Sequence, residues 1–346
     1  MRVRDARPDD NAGLVSLAAR STMDGDLALR FDREPDYFAL NRLAGEEWRV
    51  GVVDGDSGPL GCIAVARRTA FLDGEPGSIA YVGDLKVHPD FRRQGVARAL
   101  GQWAYQTALD LVGPTAPMIS TILAGNDAAT TLALGFVPGV TRWATIRSAS
   151  VDLLTRHRPR RSDLAVRLAD PADEPEMVKL WHRLAVRRQF APALDGFPLD
   201  QPGLDYLLAR RPDGELAGFV GLWDQHEIKQ MRVMGYSARL AAVRVAFNAA
   251  APLFGAPRLP KPGGALAYRT AFNVCASDAE TLQTLLRHGC DRLHGRYSFL
   301  TVGLDVGDPL ARALTGLRAQ PTDVDLLVLN GPRDRRAPIH FEIATV

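Results

Sequence analysis

The stretch from Val82 to Leu100 restricts this chain to few folds. It reads as a strand, a short basic turn holding Arg92 and Arg93, and a helix opening on Gly95, Val96 and Ala97. The first amides of a helix have no partner inside it and sit at the positive end of its dipole, so an anion placed there meets donors already aimed at it. Gly95 and Ala97 keep side chains out of that approach, and the two guanidinium groups add charge. Val96, Leu100, Trp103, Thr107 and Leu111 recur every three to four residues, which predicts one buried helix stripe. Pyrophosphate is the natural occupant of such a junction. Neither Gly-x-Gly-x-x-Gly nor Gly-x-x-x-x-Gly-Lys follows a strand, so dinucleotide and P-loop folds are not indicated.

Arg92-x-x-Gly95-x-Ala97, preceded by Leu85-x-Val87-x-Pro89, resembles the acyl-CoA pyrophosphate loop of GNAT-type N-acetyltransferases. Asn126-Asp127-Ala128-Ala129 followed by Leu134-Gly135-Phe136 is similar to that family's Asn-x-x-Ala helix and closing Gly-Phe. The resemblance implies an acetyl-CoA or other acyl-CoA donor, bound by Arg92, Arg93, Gln94, Gly95, Val96, Ala97 and Asn126. It also implies main-chain contacts to the thioester and pantetheine from Leu85 and Val87.

Acyl transfer to an amine requires a base within hydrogen-bond reach. By the same resemblance, Asp84 is the expected catalytic carboxylate. Strand alternation sets Lys86 on its face, with neutralisation as the competing outcome. His88 has a suitable ordinary pKa, but Val87-His88-Pro89 reads as a solvent-facing loop. Where many family members carry a Tyr seven residues after the helix Asn, this chain has Ala133, so no acid for the leaving thiolate carries over. Tyr81 and Tyr105 are the nearby alternatives, Tyr105 reading as core. Asp24, Asp26, Arg30, Asp32, Arg33, Glu34 and Asp36, within the segment from Ser21 to Trp48, mark the acceptor side and read as surface charge.

The domain plan occurs twice. Val3 to Asp10 and Val166 to Asp173 agree at five of eight positions, and each leads into an amphipathic helix pattern. With 346 residues the chain suits two units. The expected fold class is α/β: two tandem GNAT-like domains, each a mixed, mostly antiparallel sheet flanked by helices. Residues 1–155 form the acyl-CoA-binding domain, 156–163 a polar linker broken by Pro159, and 164–346 the second domain. After its strand the second copy reads Ala276-Ser277-Asp278-Ala279-Glu280, with no basic loop and two acids in the first helical turn, which repel a pyrophosphate. Trp223, Asp224, Gln225, Lys229 and Gln230 read as a strand end with solvated charges, or as a wall for the acceptor. Residues 339–343 read as a last strand.

The formal net charge is +2 and Arg is scattered, so no nucleic-acid partner is expected, and the lack of a membrane-length apolar run leaves no membrane partner expected either. Cys62, Cys275 and Cys290 lack metal spacing, so no metal is expected. The N-terminus enters a strand pattern directly and no apolar run has membrane-span length, which reads as a cytoplasmic chain. The expected activity is transfer of an acetyl or other short acyl group from acyl-CoA to a small-molecule amine acceptor by the first domain. The alternative is a non-catalytic acyl-CoA sensor or scaffold.

Overall fold

The computed structural model describes all residues except Asp24, Ser57 and Arg160; the acceptor-side expectation for Asp24 and the linker position Arg160 thus lie outside the described residues. The first half runs β1 (Val3–Asp5), α1 (Asn11–Ala18), β2 (Thr22–Met23), β3 (Leu27–Asp32), α2 (Ala39–Ala44), β4 (Glu47–Val53), β5 (Gly61–Leu72), β6 (Glu75–Val87), α3 (Val96–Val112), β7 (Met118–Leu123), α4 (Asp127–Phe136) and β8 (Thr141–Asp152). The second runs β9 (Ala165–Leu168), α5 (Glu174–Ala185), β10 (Leu204–Arg210), β11 (Leu216–Trp223), β12 (Gln230–Tyr236), α6 (Ala238–Ala250), β13 (Tyr268–Ala276), α7 (Ala279–Leu293), β14 (Phe299–Asp305) and β15 (Ala319–Leu329).

The two halves share one twelve-stranded sheet, ordered β1-β4-β5-β6-β7-β15-β8-β14-β13-β11-β10-β9. The order is symmetric about the central β15–β8 pair. Each half contributes five strands outward from the centre, and each hands its closing strand across: β15 pairs antiparallel with β7, and β8 with β14. Leu326, Leu327 and Val328 of β15 are almost completely buried, each contributing about 1.5–3 kcal/mol. The copies are therefore tandem in sequence but interlocked in space.

The repeated octet has the same structure in both places. Arg4 pairs with Asp10 at 2.7 Å and Arg167 with Asp173 at 2.6 Å. In each copy the second carboxylate also accepts a main-chain N–H three residues back, from Arg7 or from Asp170. The α3 stripe is Val96, Leu100, Ala104, Thr107 and Ala108, with Trp103 and Leu111 half-buried at its edge.

Residues 339–343 do not form the expected strand. Ile339 makes a single bridge to Gln189, and Ile343–Thr345 is a 3-10 turn. This segment fills the wedge between β13 and β14, where only Tyr268–Thr270 pair with Phe299–Thr301. Its hydrogen bonds to the wedge, Asn273 N–H to Glu342 Oε2 at 2.8 Å and Ile339 N–H to Asp305 Oδ2 at 3.2 Å, replace ladder pairing. Hence the amides of Asn273 and Ile339 find carboxylate partners where a ladder would otherwise have supplied carbonyls. Among the described residues no helix is long and apolar enough to cross a membrane. No group of three or more His, Cys, Asp or Glu there is placed to hold a metal ion.

Candidate functional site

The site begins where β6 and β7 part. The two strands pair in parallel only at Ala80–Val82 with Met118–Ser120, then diverge. Beyond that point β6 carries a bulge: Ala64 faces Gly83 and Cys62 faces Lys86, so Asp84 and Leu85 together oppose Ile63. Asp84 takes the left-handed conformation there, φ 58°, which Asp tolerates better than most residues. The result is a cleft of about 380 Å³ lined mostly by apolar side chains. Val82, Asp84 and Leu85 form one wall, β7 the other, and Ala97, Tyr105, Asn126 and Ala133 close it from the helices.

Its open end leads to the basic turn. After a 3-10 turn at Pro89–Phe91, Arg93 and Gly95 both adopt positive φ, 61° and 86°, and α3 starts at Val96. A Cβ on Gly95 would meet nothing within 4 Å, so this position is glycine for its backbone conformation. The Ala99 N–H bonds to the Gly95 carbonyl at 3.0 Å, and the amides of the first turn ahead of it retain no helical acceptor. Arg92 and Arg93 are exposed and, among the described residues, unpaired. Gln94 braces the turn by donating to the Asp90 carbonyl at 2.9 Å. His88 Nδ1 accepts from Asp90 N–H at 3.3 Å, and the ring packs on Phe91.

The expected donor-binding residues therefore divide. Leu85, Ala97 and Asn126 line the cleft; Arg92, Arg93, Gln94 and Gly95 lie on the turn outside it; Val96 is buried beneath. Val87 lies outside the lining, paired with Gly61 and packed in the core under α3. The Asn126 side chain caps α4, its Oδ1 accepting from Ala129 N–H at 3.2 Å.

Asp84 is fully engaged. Its Oδ2 accepts from Arg33 Nη2 at 2.5 Å and its Oδ1 from Lys86 Nζ. Burial pushes its pKa up, but Arg33 and Lys86 outweigh burial and hold the carboxyl well below the usual carboxylate range. A carboxylate this stable is a weak proton acceptor near neutrality. Asp32 and Arg33 are also not surface charge, being 2% and 3% exposed. Asp32 holds Arg30 and Arg232, each at 2.6 Å, which ties β3 to β12 of the second half. Nothing local in the sequence marks the Arg33–Asp84 pair, since 51 residues separate its members.

The second half closes the other side. Gln230 donates to the Glu34 carbonyl at 2.8 Å, and Gln225 to Ala344 at 2.6 Å. Lys229 donates to the Val346 main-chain oxygen at 2.6 Å and lies over the Phe31 ring. Burial, and then Arg33, lower its pKa to about 8. Trp223 is in contrast an aromatic core residue, its ring tilted at 46° against Phe272 with centroids 5.1 Å apart. Tyr81 reaches the foot of the divergence, its hydroxyl 3.4 Å from Thr121 Oγ1. Gly83 makes room for it, because a Cβ there would stand 2.8 Å from that hydroxyl. Burial raises the Tyr81 pKa. Tyr105, read as core in the sequence, lines the cleft.

Residues 16–136 match the model of the acetyltransferase (GNAT) family. No curated protein matches the chain in sequence. Among solved structures, Saccharomyces cerevisiae N-myristoyltransferase with bound myristoyl-CoA superposes with a TM-score of 0.63 at 11% identity, over 98% of this chain and 89% of that one. A GCN5-related N-acetyltransferase from Anabaena variabilis gives 0.52 at 14% identity, over 94% and 72%. A probable N-acyltransferase from Enterococcus faecalis gives 0.51 at 10%, over 94% and 72%. At these identities the likeness is one of fold. The matched segment spans α3, β7 and α4 around the cleft, so residues 16–136 are similar to the acetyltransferase (GNAT) family, and the chain as a whole shares the fold of these solved structures, here a doubled and interlocked α/β fold.

Proposed function

We propose that the chain transfers an acyl group from acyl-CoA to an amine, with the donor held by the first half. The observation that carries this reading is the β6–β7 cleft opening on an unpaired basic turn at a helix N-terminus. In it the pyrophosphate meets the amides of Gly95 to Ala97 together with Arg92 and Arg93. The pantetheine enters the divergence in place of ladder pairing, and bulged main chain at Leu85 supplies a donor to the thioester oxygen. The amine nitrogen attacks the carbonyl carbon, the new C–N bond replaces the C–S bond, and the thiolate takes a proton. The second half contributes the acceptor wall through β12 and Lys229, while its own wedge is occupied by residues 339–344. N-myristoyltransferase and the probable N-acyltransferase, both acyl-transfer proteins by name, support the reaction class.

A second reading, an acyl-CoA sensor without turnover, is favoured by one observation: both Asp84 oxygens are taken by Arg33 and Lys86. One assay separates the two. CoA thiol release is followed over a panel of amines, amino acids and aminoglycosides, with acyl-CoA affinity measured in parallel. Acceptor-dependent release supports the enzyme. Tight acyl-CoA binding with release no faster than hydrolysis supports the sensor. If Arg92→Glu with Gly95→Glu leaves acyl-CoA affinity unchanged, the donor site itself is wrong.

A further inference from the structure

The segment between β12 and β13 contributes no residue to the cleft lining, yet it carries four exposed large apolar side chains. Helix α6 contains no buried residue. Val243 and Val245 on it are 53% and 63% exposed. The turn that follows ends in Leu253 and Phe254, 83% and 63% exposed, before Gly255 reverses the chain at φ 62°. The tip is anchored, for His294 Nε2 lies 3.2 Å from the Phe254 carbonyl oxygen. Two adjacent large apolar side chains held outward on a convex turn are not scattered surface hydrophobes.

Its charge is one-sided. No acidic residue occurs between Glu227 and Asp278. Arg239, Arg258 and Lys261 on the insertion are exposed, as are Arg292 and Arg296 on either side of the anchoring His294. Asp291, the carboxylate beside Arg292 in the sequence, is paired with Arg156.

We propose that this tip docks the protein on an anionic lipid surface, Leu253 and Phe254 entering below the headgroups while the surrounding cations pair with them. A lipid surface accepts a convex apolar tip flanked by exposed cations without needing a preformed groove. A second copy fits less well, because a symmetric contact through this face sets cations against cations. The expectation of no membrane partner rested on the lack of a spanning segment, which peripheral docking does not use.

The test is flotation of the full chain with vesicles of phosphatidylcholine alone or with phosphatidylglycerol added. Expected are binding at least about tenfold stronger to the anionic vesicles, and its loss at about 1 M salt. Leu253→Ser with Phe254→Ser should weaken binding by at least about tenfold while the melting temperature holds, because both side chains are exposed. Equal or absent retention on the two vesicle types overturns the proposal, as does an unaffected double variant. So does a concentration-dependent dimer that the double variant abolishes, since the tip would then bind a second copy.

Discussion

Asp84 and Asn273 occupy the same place in the two halves. Each sits at a bulge of the strand that diverges from its parallel neighbour, with φ 58° and 48°. What they face differs. Asp84 is held by Arg33 and Lys86 beside an open cleft, whereas the Asn273 main chain donates to Glu342 of the segment that fills the second wedge. Its side chain donates to the Tyr206 hydroxyl at 2.8 Å. One backbone device has thus been kept open in one half and plugged in the other.

Asn273 makes Asp84→Asn an informative variant, because Asn already adopts this backbone conformation in the second half. The substitution leaves Arg33 and Lys86 without their carboxylate, and a loss of about 3 kcal/mol is expected in urea unfolding. Arg33→Met in the same background should recover part of it, read as a coupling energy in a double-mutant cycle. Additive effects would show that the pair contributes nothing.

Gly95→Glu should cost about 1 kcal/mol in stability, from the positive φ alone. It should weaken acyl-CoA binding by at least about 100-fold, because a carboxylate would stand where phosphate is expected. Calorimetry with acyl-CoA checks it. A weakened fold with intact affinity would place the donor elsewhere.

Lys229 predicts a stability rise with pH. Its amine releases its proton at about pH 8 in the folded chain against 10.5 ordinarily, so across that window the unfolded state binds more protons and folding gains as pH rises. The gain is about 1–2 kcal/mol once partial exposure is discounted. Chemical unfolding at pH 7.5 and about 10, with Lys229→Met as control, measures it; the rise should be absent in the variant.

Residues 1–155 expressed alone should fail to fold cooperatively, because β15 fills the gap between β7 and β8. Losing the burial of Leu326, Leu327 and Val328 removes about 5–9 kcal/mol, comparable with the whole margin of an ordinary domain. Cooperative melting of that fragment would contradict the interlocked sheet as an energetic unit.

The sequence determined what short-range physics controls. The strand, basic turn and helix from Val82 to Leu100 were legible because amide geometry, Gly95 and the apolar period act within a few residues. The duplication was legible because Arg4–Asp10 and Arg167–Asp173 close the same local ion pair. Only the tertiary structure decided the rest. The exchange of β8 and β15, the Arg33–Asp84 pair and the plug at residues 339–344 join groups far apart in the chain. Burial set their energetics, turning the apparent surface charges Asp32 and Arg33 into buried ion pairs and committing the Asp84 carboxylate to Arg33 and Lys86. Residue type and spacing specify which groups a segment carries; which partner desolvates and neutralises them is set by where the rest of the chain packs.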